Sequence, residues 1–398
     1  MNARVDRLRR QSVETRPRLS SQRAELVTQF YKSDAPAKVS TPVARALCFQ
    51  YIVEHRTVCI NEGELIVGER GPAPKATPTY PELCCHSLED LRILNGRERT
   101  PFAVSDEVMQ VYGQEIIPFW SGRTIRDRLF NLMAEPWHRA YEAGVFTEFM
   151  EQRAPGHAIL DDKIYRRGFL EVKQEIATRR QLDYLHDPEA YAKNEEYEAM
   201  DICCDAIVAL AERHASMAAE MARQESEPVR RTELLRIAEA CARVPAYAPR
   251  DFYEALQAYW FVHLGVITEL NTWDSFNPGR LDQHLYPFYA RELEEGSLTR
   301  EEAEELLQCF WVKFNNQPAP PKVGVTEEQS GTYTDFALIN IGGLKADGSD
   351  AVNEVSYLML DVVEQMQLIQ PSACIQLSKR NPDRFLKRAC RVIRTGLG

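Results

Sequence analysis

Residues 336–378, "FALINIGGLKADGSDAVNEVSYLMLDVVEQMQLIQPSACIQLS", change periodicity twice. "FALINIGG" (336–343) reads as a strand. Val355, Leu358, Met359, Val362 and Met366 then recur at helical spacing, and "ACIQLS" (373–378) reads as extended again. "PDRFLKRACRVIRTG" (382–396) follows as a cationic helix with Gly396 as its C-cap. Strand, helix, strand and helix at these lengths predict parallel neighbours near 337–344 and 372–378. The helix over 353–368 crosses between them on the outside. The predicted fold class is α/β and helix-rich.

Upstream, "NNQPAPPKVGVTEEQSGTYTD" (315–335) opens with three prolines that rule out regular structure. It ends in a dense run of hydrogen-bonding side chains, Ser330, Thr332, Tyr333, Thr334 and Asp335, more than a plain connector needs. "TREEAEELLQCFWVKF" (299–314) predicts a helix with acids in its first turn, where the helix dipole favours them. "RDFYEALQAYWFVHLGVITEL" (250–270) is apolar nearly all round, as in a buried helix, with Asp251 and Glu254 as N-cap and N3. Two long helices are predicted between Met200 and Ala240, and a β-like segment over "GELIVGERG" (63–71). The prolines of 72–81 mark an irregular connection, and no repeat, low-complexity tract or flexible linker divides the chain.

The 398 residues are 44% hydrophobic and 27% charged, the composition of a globular protein with ample core. A net charge of −11 argues against a nucleic-acid partner, which requires a clustered basic surface. The basic N-terminus lacks the apolar core of a signal peptide. The most apolar run, "YWFVHLGVI" (259–267), is far shorter than the ~20 residues that cross a bilayer, so the expected location is the cytoplasm and no membrane is expected. Ten cysteines then belong in a reducing compartment. Vicinal Cys84-Cys85 (followed by His86) and Cys203-Cys204 lack the spacing that lets zinc ligands converge, so buried apolar cysteine is expected and no metal is assigned.

No phosphate-cradling, dinucleotide, zinc-protease or nucleophile-elbow motif is present. Three polar clusters remain: "FMEQRAPGH" (149–157), where a Pro-Gly turn presents His157; "NTWDSFNPGRLDQHLYPFY" (271–289), with Asp274 just past the buried helix; and the 330–335 run. In α/β folds, loops at or beside the carboxyl ends of strands commonly build ligand sites. Each cluster has a plainer reading. A histidine after Pro-Gly is more often a satisfied structural side chain than a catalyst; Asp274 also reads as a helix cap or a partner of Arg280, the Ser/Thr/Asp run as a self-bonded turn, and Phe149 and Phe336 as core. Residue by residue, the sequence gives a soluble α/β chain with a polar pocket and no assigned reaction.

At these same clusters the sequence resembles the glycyl radical enzymes, the pyruvate formate-lyase-like superfamily. "TWDSFNPGRLDQHLYPFY" is similar to its P-G-R-x-D-Q segment. "FMEQRAPGH", "ELLQCFWVKFNNQPAPPKVG" and "SGTYTDFALINIGG" look most like the branch that dehydrates trans-4-hydroxy-L-proline. "GELIVGERG", "PTYPELCCHSLEDL" and "DGSDAVNEVSYLMLDVVEQMQLIQPS" extend the likeness over essentially the whole chain.

The resemblance implies the first half of a ten-stranded α/β barrel wrapped in helices, with residues 1–398 as the N-terminal part of the family's domain. It implies a carbon–oxygen lyase that removes water from hydroxyproline to give 1-pyrroline-5-carboxylate. A glycyl radical, installed by a radical S-adenosylmethionine activating enzyme as partner, passes to a cysteine whose thiyl removes the C5 hydrogen. No other cofactor is implied, and a homodimer is. Carried over by motif, Asp274 is the catalytic candidate. Phe149, His157, Ser330, Asp335 and Phe336 are the substrate-binding candidates, all predicted to meet in one cavity. The sequence departs from the family in lacking the G-C-x-E cysteine context and the R-V-x-G-Y glycine context. This implies a fragment of the parent enzyme that is inactive alone. Other readings of the same residues are a different glycyl radical lyase, acting on a diol or a hydroxy-sulfonate, and a non-catalytic half of a split enzyme or decoy for the activating enzyme.

Overall fold

The computed structural model describes residues 1–146, 157–270, 276–319, 321 and 337–396. Among the described residues six short strands lie between many helices: β1 (Arg18–Ser20), β2 (Ala76–Pro78), β3 (His157–Ala158), β4 (Phe276–Asn277), β5 (Leu338–Gly342) and β6 (Ser372–Gln376). They pair in parallel as β1 with β2, β3 with β4 and β5 with β6. The predicted βαβ unit is present. Leu338 stands opposite Ser372 and Gly342 opposite Gln376, with the helix Glu354–Met366 as the crossover. Asn353 starts that helix by accepting from the N–H groups of Val355 and Ser356. Val355, Leu358, Met359, Val362 and Met366 are all buried, so the sequence stripe is the face that covers the sheet.

The last two strand pairs abut. Gly279, two residues past β4, bridges Ile339 in parallel. Asn340 N–H donates to Gly279 O at 3.1 Å, and Leu338 N–H donates to Asn277 Oδ1 at 2.6 Å. β3, β4, β5 and β6 therefore follow one another side by side, all pointing the same way.

Helix Phe252–Glu269 runs through the main core, buried everywhere except Val266 and Glu269. Asp251 caps it as predicted, accepting from Glu254 N–H at 2.7 Å. The Glu254 carboxylate, however, reaches back to Arg250 N–H rather than to the cap residue. Helices Ala190–Gln224 and Pro228–Arg243 are the predicted long pair, the first beginning ten residues earlier than its Ala-rich stretch suggests. Gly265 lets the two layers close: a Cβ there would lie 2.0 Å from Ile207 Cδ1. A smaller cluster, including Leu19, Val27, Phe102, Tyr112 and Trp120, forms the core of the N-terminal region. Among the described residues no helix is long and apolar enough to cross a membrane.

Two local readings are corrected. The terminal helix is Asp383–Ile393 with Arg394 as its cap, and Gly396 takes φ +86° in the turn beyond. The segment 63–71 is not a strand. Its apolar side chains Ile66 and Val67 are fully buried, but helix side chains, not another strand, satisfy its backbone. Gln257 accepts from Val67 N–H at 2.9 Å and donates to Val67 O at 3.0 Å. Trp260 Nε1 donates to Gly68 O at 2.8 Å, and Tyr253 OH to Leu65 O at 2.7 Å. An extended apolar stretch needs its amides bonded when buried, and side chains on the central helix serve as well as a ladder.

Candidate functional site

Of the six site residues predicted from sequence, Phe149, Asp274, Ser330, Asp335 and Phe336 lie outside the described residues. For His157 the backbone is described, as the first residue of β3. What the structure does define is where the chain carrying each of them enters the sheet. Residue 157 pairs with Phe276, and Ala337 directly precedes β5, which adjoins β4 through the Gly279–Ile339 bridge. Segments 147–156, 271–275 and 322–336 therefore lead into the amino ends of three successive parallel strands. The expectation is of ligand groups at or beside the carboxyl ends of strands, whereas these segments join their strands at the amino ends.

The carboxyl ends are occupied by a structural knot made from the P-G-R-x-D-Q segment. Gly279 turns with φ +67°, a left-handed conformation that favours glycine. Asp282, fully buried, accepts from Gly342 N–H at 2.8 Å, Ser356 Oγ at 2.5 Å and its neighbour Gln283 N–H at 2.9 Å. Gln283 Nε2 donates to Gly342 O at 3.2 Å, and Arg280 Nη1 to Leu344 O at 3.1 Å. One carboxylate thus ties the turn after β4 to the end of β5 and the first turn of the crossover helix.

Burial, opposed by the hydrogen bonds from Ser356 and Gly342, raises the Asp282 pKa to about 6. A raised carboxyl binds its proton more tightly in the folded chain, so its contribution to stability is present at low pH and is lost as pH climbs from about 4 through about 6. Asp282→Asn cannot titrate. The stability of wild type relative to this variant should therefore fall over that window, by roughly 2–3 kcal/mol, as read by urea denaturation at several pH values. A pH-independent difference between the two proteins would contradict the assignment.

A second buried polar knot lies just before residues 320–336 in the sequence. Lys313, 1% exposed, places Nζ 2.7 Å from Glu64 Oε1 and 2.5 Å from Glu69 Oε1. Asn316 Nδ2 donates to Glu69 Oε1 at 3.0 Å, and Gln317 Nε2 donates to the same carboxylate. Burial alone would lower the Lys313 pKa; the two carboxylates overturn that and hold it above its ordinary value. With one carboxylate in excess of this lysine, burial holds Glu69 above the usual carboxylate range. The cluster fixes Asn316 and Gln317 against segment 63–71.

Sequence reasoning did not assign these two knots. Asp282 was legible as part of the P-G-R-x-D-Q segment. Lys313 carried a weaker signal, a lone charge inside the apolar run "CFWVKF" on a helix buried on every side at that end. Among the described residues no cluster of three or more His, Cys, Asp or Glu side chains could hold a metal ion. In the vicinal cysteine pairs Cys84 and Cys204 are buried and Cys85 and Cys203 half-buried. Burial pushes the Cys85 and Cys204 thiols up to about 12, so both stay protonated and weakly nucleophilic at neutral pH.

The whole chain, residues 1–398, matches the family described as pyruvate formate lyase-like. It is 54% identical over 396 residues to trans-4-hydroxy-L-proline dehydratase of Clostridioides difficile, covering 99% of this chain and 50% of that protein. It is 33% identical to isethionate sulfite-lyase of Nitratidesulfovibrio vulgaris, over 96% of this chain and 48% of that one. The crystal structure of the C. difficile hydroxyproline dehydratase with trans-4-hydroxy-L-proline bound superposes with a TM-score of 0.95 at 53% identity, covering 99% of this chain and 50% of that chain. A structure addressing 1,2-propanediol dehydration in Roseburia inulinivorans superposes with a TM-score of 0.93 at 30% identity, covering 100% and 47%. The chain spans about half the length of the curated relatives it matches.

Proposed function

The chain belongs to the pyruvate formate lyase-like family, and from that membership we propose that it is part of a glycyl radical dehydratase converting trans-4-hydroxy-L-proline to 1-pyrroline-5-carboxylate. The supporting observation is the 54% identity, across 99% of this chain, to a hydroxyproline dehydratase. The entry of all three motif-bearing segments at neighbouring strand ends is what one shared pocket requires. In this reading the strands β3 to β6 belong to one half of a ten-stranded barrel, and the pocket lies at their amino ends.

The thiyl that takes the C5 hydrogen comes from sequence this chain does not carry, since none of its ten cysteines lies in a G-C-x-E context. What this chain contributes is the walls and the polar contacts. Phe149 and Phe336 flank the ring and exclude water, which a carbon radical requires. Ser330, Asp335 and His157 fix the polar groups, holding one hydrogen in line with the thiyl. Asp274 meets the ring ammonium or supplies the proton that lets the C4 hydroxyl leave as water. The partners in this reading are a radical S-adenosylmethionine activating enzyme and a second copy of the protein.

The test uses the full-length protein, activated without oxygen, with the radical counted by EPR. Incubation with trans-4-hydroxy-L-proline should yield 1-pyrroline-5-carboxylate. A second reading, cleavage of a hydroxy-sulfonate, is favoured by the 33% identity to an isethionate sulfite-lyase. Radical-bearing protein inert on hydroxyproline but releasing sulfite from isethionate would establish that reading instead.

A further inference from the structure

Gln370, separated from β6 only by Pro371, is 1% exposed, yet neither its Nε2 nor its Oε1 has a hydrogen-bond partner. Buried amides in folded proteins are nearly always bonded, because leaving one unbonded forfeits its contacts with water for nothing. The other three buried glutamines obey that rule: Gln257 bonds both polar atoms of Val67, Gln308 donates to Glu304 and Gln365, and Gln317 bonds Glu69 and Arg70 N–H. Among the buried glutamines of the described residues, Gln370 is the one with both amide atoms unbonded.

Its position gives the exception meaning. Ser372 stands opposite Leu338, and its N–H donates to Ala337 O at 2.9 Å. Gln370 is therefore placed at the amino end of β6, next to the point where the chain enters β5. β5 in turn adjoins β4 and β3, so Gln370 stands in the fourth of four adjacent strand entrances. These are the entrances into which the motif-bearing segments run.

A side-chain amide presents one acceptor and two donors close together. The zwitterion of an α-amino acid presents the complement on a single carbon, an ammonium that donates beside a carboxylate that accepts. A diol or a hydroxy-sulfonate has no such pair. We infer that Gln370 is a substrate-binding residue that recognises the α-amino-acid zwitterion, with Oε1 accepting from the ring ammonium and Nε2 donating to the carboxylate. This deepens the reading of the protein as a hydroxyproline dehydratase and rests on it.

The test is equilibrium binding by calorimetry to the full-length, unactivated protein, which needs no radical. The ligands are trans-4-hydroxy-L-proline and 3-hydroxypyrrolidine, which keeps the ring and hydroxyl but lacks the carboxylate. Gln370→Met conserves size and removes the amide. The variant should lose about ten- to a hundredfold in affinity for hydroxyproline and much less for 3-hydroxypyrrolidine. Its Tm should equal or exceed that of wild type, because an unpaired amide has been replaced by an apolar group. Hydroxyproline bound as tightly by the variant as by wild type overturns the assignment and leaves the dehydratase reading standing. A large fall in Tm with affinity intact also overturns it, by showing that the amide has a structural partner. Wild type with no affinity for hydroxyproline removes both the assignment and the reading beneath it.

Discussion

Lys313→Met should lower the free energy of unfolding by about 3–5 kcal/mol at neutral pH, the usual result of removing one partner from a buried ion cluster. Nζ lies within 2.7 Å of Glu64 and 2.5 Å of Glu69, and all three side chains are almost wholly buried. Methionine fills the space of the stem but leaves two carboxylates facing each other, with Asn316 and Gln317 still directed at one of them. The pH dependence separates this from a simple packing defect. Without the ammonium, burial holds Glu69 above its ordinary pKa with no cation to oppose it, so the folded variant binds protons more tightly than the unfolded chain. Stability of such groups is present at low pH and lost as pH rises. The gap between wild type and variant should therefore narrow as pH falls toward about 4, and Glu69→Gln added to Lys313→Met should recover part of the loss at neutral pH. Urea titrations of the three proteins at several pH values make the measurement. A gap that stays constant with pH would mean that Lys313 acts by volume alone.

The cluster also illustrates what the sequence leaves unsaid. Lys313 and its partners are separated by 244 and 249 residues, and nothing local distinguishes this lysine from one that extends to solvent at a helix end. The βαβ unit at 338–376 was legible because its determinants are local: a helical stripe between two extended runs, with the strand-to-strand connection short enough to impose parallel pairing. Segment 63–71 has the same extended apolar pattern, and was misread because the pattern reports burial rather than the partner that bonds the backbone. Only the fold reveals that Gln257, Trp260 and Tyr253 on one helix take that role. β3 and β4, two residues each, carry no periodicity at all. Their placement nevertheless decides the geometry of the candidate site, since they set which ends of which strands the motif-bearing segments reach. The motifs themselves were legible as chemistry, and the order of the strand entrances was not.

The charge on Asp274 should matter far more to turnover than to folding. In the proposed reaction, loss of the C5 hydrogen leaves a radical beside a carbon bearing a hydroxyl, and hydroxide is a poor leaving group until a proton reaches it. A positioned acid supplies that proton, a service worth about 10²–10⁴-fold in rate. If Asp274 instead holds the ring ammonium, its charge fixes the ring so that the C5 hydrogen faces the thiyl, and loss of a charge-assisted contact costs about ten- to a hundredfold. Asp274→Asn keeps shape and most hydrogen bonding, so it tests the ionisable carboxyl, whether as a charge or as a proton donor. In the full-length enzyme, turnover per radical should drop by two orders of magnitude or more for the proton-donor role, with KM for hydroxyproline little changed. For the ammonium-binding role the drop should be smaller and KM should rise with it. Counting the glycyl radical by EPR keeps poor activation from passing as poor catalysis, and matching Tm values keep misfolding from doing the same. Wild-type turnover per radical in the Asn variant would take Asp274 out of the reaction altogether, leaving His157 and Asp335 as the polar residues able to deliver the proton.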